Sequence, residues 1–239
     1  MAPTLCFCNL SRRSPAIFSS GDTRLFLNHF SCDLARPAEV ERAAGEVQRF
    51  LERTVPSGRI LLINNSGFGT FAAFPEPNVG REHEMIDVNV RALVQLTGLL
   101  LPFLRARGGA IMNIASTVAF QPTPYAATYG ASKAFVLNWT IALNEELRGS
   151  GVRALAVCPG TTRTDFFHQA GVGGAERAPF AMTPEDVVRE ALLALAKGRA
   201  QVVTGWRNKL MTFFAARGPK PLVAKIAGKV LLRLRGGAR

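Results

Sequence analysis

A chain of 239 residues lies within the usual size of one α/β domain, and with 48% hydrophobic and 19% charged residues, 22 Gly and 14 Pro it is neither a disordered nor a collagen-like polymer. The formal net charge of +12 is concentrated: residues 191–239 hold eleven Lys or Arg and no Asp or Glu, which leaves +1 for residues 1–190. The basic excess belongs to a C-terminal tail with few aromatics for base stacking and no recognised binding motif, so no nucleic-acid partner is expected.

Thr4 to Leu10 reads as a strand and Arg24 to Ser31 as another, separated by a connection containing Ser, Pro and Gly. Cys6 and Cys8 alternate along the first strand, so they face opposite sides and cannot hold one ion. Together with Cys32 and Cys158 they show neither a disulfide framework nor a zinc spacing; no metal site is expected, and a cytoplasmic location fits. Arg12 and Arg13 interrupt the apolar start, and no uninterrupted apolar run reaches about 18 residues, so neither a signal peptide nor a spanning helix is expected.

After Asp33, Pro37 opens an amphipathic helix with Val40, Ala43, Ala44, Val47, Phe50 and Leu51 at helical spacing. Arg59 to Ile63 is a strand running into Asn64-Asn65-Ser66-Gly67, and Glu82 to Leu104 a long helix. Ala110 to Ala115 is a strand, Ala127 to Arg148 a helix, and Val152 to Val157 a strand stopped by Pro159-Gly160. A helix from Pro184, with Thr183 as N-cap, leads to a last strand at Gln201 to Thr204. Short apolar strands alternating with helices predict a doubly wound, Rossmann-like α/β fold in a single domain, 1–205, followed by a basic amphipathic tail, 206–239. In such folds ligands sit beyond the carboxyl ends of the strands.

The polar residues fall at those ends. Tyr129 and Lys133 are four apart at the start of a helix, so phenol and ammonium share one face. A free phenol has a pKa of about 10; a nearby cation lowers an ionisable group by about 1–3 units, which makes tyrosine a usable general acid or base. The pair alone is weak, but Ser116 ends the preceding strand and Asn89 lies in the helix before it. In this order and spacing, Asn64-Asn65-Ser66-Gly67, Asn89, Ser116, Tyr129, Lys133 and Pro159-Gly160-Thr161-Thr162-Arg163-Thr164 resemble the short-chain dehydrogenase/reductase family over residues 25–205.

The resemblance implies an oxidoreductase that interconverts a carbonyl and an alcohol by hydride transfer. Tyr129 would handle the proton, Lys133 lower its pKa and hold the nicotinamide ribose, Ser116 bond the substrate carbonyl, and Asn89 fix a water in the proton relay. Asn65, Ser66 and Gly67 would lie along the cofactor, although an Asn-rich strand end also ties neighbouring strands together. Thr162 and Thr164 match positions that contact the nicotinamide amide and the phosphates, or cap the next segment. Asp33 matches the acidic residue beside the adenine, or serves as a helix cap. Arg12 and Arg13 fall where an arginine pairs with a 2′-phosphate, which favours NADP over NAD. A homo-oligomer is the family expectation.

The family's opening strand and T-G-x-x-x-G-x-G turn are not found, so the fold is expected to lack its first β-α unit and the phosphate site to be weakened. Phe166, Phe167, Phe180 and Met182 fall where the family keeps its substrate loop, and an apolar small-molecule alcohol or ketone is the expected substrate. The tail mixes Leu, Ile, Val and Phe with lysines and arginines, a pattern that fits peripheral contact with a membrane surface. Two other readings stay open: a truncated or impaired relative without turnover, and a membrane-binding module acting through the tail.

Overall fold

The structure, a computed structural model, describes residues 29–54, 56–170 and 180–236. Helix α1 (Pro37–Arg53) begins with a proline in its first turn and buries Val40, Ala43, Ala44, Val47 and Leu51, one stripe at helical spacing. Strand β1 (Ile60–Asn64) follows. Helix α2 (Val79–Ile86) is capped by Asn78, whose side chain accepts from the Arg81 N–H. A π-helical turn, Asp87–Arg91, joins it to α3 (Ala92–Arg107). The single helix expected over 82–104 is therefore present but longer, and carries one widened turn.

Strand β2 (Gly109–Ile114), a 3₁₀ turn (Thr117–Phe120), α4 (Ala127–Glu146) and β3 (Val152–Cys158) come next. A short α5 (Phe166–Gln169) precedes α6 (Pro184–Ala196), where the Thr183 hydroxyl accepts from the Asp186 N–H as its N-cap position predicts. Strand β4 (Gln201–Val203) leads into α7 (Trp206–Arg217) and α8 (Lys220–Gly236).

Among the described residues the sheet is parallel in the order β1-β2-β3-β4, as the alternation of elements predicts. Ile60 stands opposite Gly109 and Asn64 opposite Asn113, so the carboxyl ends of β1 and β2 finish level. On β2 the side chains alternate between two cores. Ile111 joins Leu62, Leu51, Leu100 and Leu104 on one face, while Met112 joins Leu155, Val157 and the α6 residues Ala191 and Ala194 on the other. Burying each such large aliphatic stabilises the fold by roughly 1.5–3 kcal/mol.

Thr4 to Leu10, Arg12, Arg13 and most of Arg24 to Ser31 lie outside the described residues, and His29 to Ser31 run without strand geometry. The stretch Val79–Arg107 is long and apolar enough to cross a membrane by length and composition, although charged residues such as Arg81, Glu82, Asp87 and Arg91 interrupt its apolar run. Its Met85, Leu93, Leu100 and Leu104 are buried in the domain's own clusters, so it is a core helix.

Candidate active site

Tyr129 and Lys133 sit in the first two turns of α4, both buried, at 7% and 5% exposure. The chain enters this helix through Tyr125, held at φ 65°, a left-handed conformation that costs an L-residue roughly 1–2 kcal/mol. Ser116 follows β2 and caps the 3₁₀ turn, its hydroxyl accepting from the Val118 N–H at 3.3 Å. The strand end and the helix start thus bring Ser116 beside Tyr129, as the spacing predicts.

Burial pushes the Tyr129 phenol up to about 12, and the nearby Ser116 hydroxyl pulls the other way. The ring is packed against Phe71 at 5.8 Å and Phe166 at 5.4 Å between centroids. Burial, rather than Lys133, dominates the pKa of this phenol. The Lys133 Nζ donates to the Ile114 carbonyl at 2.8 Å and stands 5.9 Å from the Tyr129 ring centroid. Burial in turn lowers the Lys133 ammonium to about 8, with Cys158 opposing. Cys158 is itself buried at the end of β3, its thiol pushed up to about 12 by desolvation against the pull of Lys133 and the Ser116 backbone.

Asn89 occupies the π-helical turn and is 1% exposed. Its amide nitrogen donates to the Phe68 carbonyl at 2.9 Å and to the Ser132 hydroxyl at 3.1 Å, while its oxygen accepts from the Phe68 N–H at 3.1 Å. Asn89 therefore ties the loop after β1 to α4. Gly67 passes through the gap between them: a Cβ there would lie 2.9 Å from Asn89 Oδ1 and 3.2 Å from Lys133 Nζ, so the close approach requires glycine.

Asn65 and Ser66 line a cavity of about 80 Å³ with Phe30, Cys32, Leu34 and Val88. Asp33 lies between two of these lining residues but is exposed; it accepts from the Ala35 N–H at 2.9 Å and pairs with Arg36 at 3.3 Å. It makes a local turn, and Arg36 rather than Asp33 is the N-cap of α1. Thr162 donates to the Gly160 carbonyl at 3.1 Å and bridges Met182, while the exposed Thr164 accepts from the Phe166 N–H at 3.5 Å. Both threonines make the turn contacts their local sequence allows. Arg12 and Arg13 lie outside the described residues.

Two participants escape the sequence reading. Ser132 accepts from Asn89 and donates to the Tyr129 carbonyl at 2.8 Å, and only its place between Tyr129 and Lys133 hinted at it. Phe71 packs at a tilt against Tyr129 from a loop without secondary structure, where no periodicity marks it.

A family model for short chain dehydrogenases matches residues 20–172. The chain is 40% identical to a sulfoacetaldehyde reductase from Chromohalobacter salexigens over 111 residues, 44% of this chain and 43% of that one. It spans about half the length of the curated relatives it matches. Among solved structures it resembles a 7β-hydroxysteroid dehydrogenase, with a TM-score of 0.67 at 27% identity over 83% of this chain and 75% of that one. It also resembles a short-chain dehydrogenase from Sphingobium yanoikuyae in complex with NADPH, with a TM-score of 0.64 at 32% identity over 79% and 72%. A match over more than half of the residues, on a parallel α/β fold that buries Ser116, Tyr129, Lys133 and Asn89, establishes that the chain belongs to the short chain dehydrogenase family.

Proposed function

We propose that the chain is an NADP-dependent oxidoreductase that interconverts a carbonyl and an alcohol on an apolar small molecule, with Tyr129 as general acid and base. The observation that carries this is the buried cluster of Tyr129, Ser116, Lys133 and Asn89 at the carboxyl ends of β1 to β3. Two features support a nicotinamide cofactor beside it. The backbone is bare at Gly67 against Asn89 and Lys133, and the cavity lined by Asn65 and Ser66 opens at the end of β1. Relatives of this fold were solved with NADP or NADPH.

The nicotinamide, when bound, supplies or accepts the hydride. Ser116, beside the phenol, would hold the substrate oxygen, and Tyr129 would give or take the proton there. Lys133 would hold the ribose through its ammonium, Asn89 would fix a water in the proton relay, and Asn65, Ser66, Gly67, Thr162 and Thr164 would hold the cofactor. Asp33 would hold the adenine end, and Arg12 and Arg13 would pair with the 2′-phosphate. With its phenol at about 12, Tyr129 holds its proton at neutral pH, the state that protonates a reduced carbonyl oxygen. The Phe71, Phe166 and Phe167 cluster favours an apolar substrate, and the active form is a cytoplasmic homo-oligomer.

The test is NADPH consumption with a panel of apolar ketones. Tyr129→Phe should slow turnover by about 10²–10⁴-fold while leaving NADPH binding in place. Equal rates for the variant and the parent would remove Tyr129 from the chemistry.

A further inference from the structure

Helix α8 has an apolar residue on both of its sides. Its inner side packs on the body: Ala227 is buried, Leu231 joins the cluster around Phe71, Met85 and Tyr129, and Gly228 comes within reach of Pro124 and Tyr125. A helix that only covered its own domain would turn a polar face to water. Instead Leu222, Ile226 and Val230, spaced four apart on one ridge, are each about half exposed. Lys225 and Lys229 run beside that ridge, both exposed. Helix α7 continues the pattern, with Trp206 70% and Phe214 64% exposed among Arg207, Lys209 and Arg217.

The charge decides between occupants. Residues 206–239 carry nine Lys or Arg and no Asp or Glu, so a second copy would set this basic surface against itself. A nucleic acid would neutralise the lysines but leave the aliphatic ridge in water. An anionic lipid surface satisfies both: the apolar ridge enters the acyl boundary while the flanking lysines, with long flexible stems, reach the phosphates. We infer that the outer face of α8, with the exposed end of α7, is a docking surface for anionic membranes.

This inference goes beyond the oxidoreductase reading and is tested without any turnover. The full chain is sedimented with vesicles of phosphatidylcholine alone and of an equal mixture with phosphatidylserine. It should pellet with the mixed vesicles, be released by high salt, and stay in solution with phosphatidylcholine alone. The combined changes Leu222→Ser, Ile226→Ser and Val230→Ser should cut partitioning by about tenfold or more. Lys225→Glu with Lys229→Glu should do the same with the ridge intact, and circular dichroism checks that both variants fold. Equal pelleting with either vesicle, or no loss in folded variants, would overturn the inference. So would a dimer in vesicle-free sedimentation velocity that the serine changes dissolve.

Discussion

Lys133 carries its charge into a place with little water, and the consequence is measurable. Its folded pKa of about 8 lies below its unfolded value of 10.5, so between these limits the unfolded chain binds more protons and stability rises with pH. That rise is about 2 kcal/mol between roughly pH 8 and 10. Tyr129 works the other way: raised from 10.0 to about 12, it keeps its proton in the fold, so stability falls above pH 10. Lys133→Met should flatten the rise and leave the fall, read by urea denaturation across this range; an unaltered rise would assign it to another group. These residues are legible in the sequence because a four-residue spacing and a strand end place them without any knowledge of packing. Their electrostatics are not legible. Whether Lys133 lowers the phenol or is occupied by the Ile114 carbonyl depends on a contact nineteen residues away.

At the scale of elements, periodicity locates helices well and their irregularities poorly. The helix predicted over 82–104 keeps its apolar spacing through the π-helical turn that presents Asn89, because one extra residue in a turn barely shifts a stripe. Helix α5 is four residues long, too short for any period, yet it lays Phe166 on Tyr129. Phe166→Ala should let water reach the phenol and bring its pKa down from about 12 toward the ordinary value near 10. The chain has two tyrosines, so ultraviolet titration in a Tyr125→Phe background isolates Tyr129. A phenol that still titrates near 12 would mean that Phe71 and the body of α4 bury it without help from α5.

Across the whole molecule, a line of buried amides and hydroxyls crosses the sheet below the site. Asn64 donates to Thr97 at 3.0 Å and to Asn113 at 2.7 Å, and Asn113 donates to Thr140 at 2.9 Å. The line joins α3, β1, β2 and α4, which bears out the strand-tying reading of the Asn-rich strand end for Asn64. Asn113 is fully buried, so Asn113→Ala should cost about 1–3 kcal/mol in a denaturation midpoint by leaving its partners unpaired. A loss within error would show that the sheet does not need the line. Cys158 ends β3 near Lys133, closed off from solvent and with a thiol that stays protonated at neutral pH. Its sulfur is nearly inert to alkylating reagents for as long as the end of β3 stays shut. The protein therefore contains its own clock: the pace at which that single peptide is labelled counts how often the ground beside the buried lysine comes open.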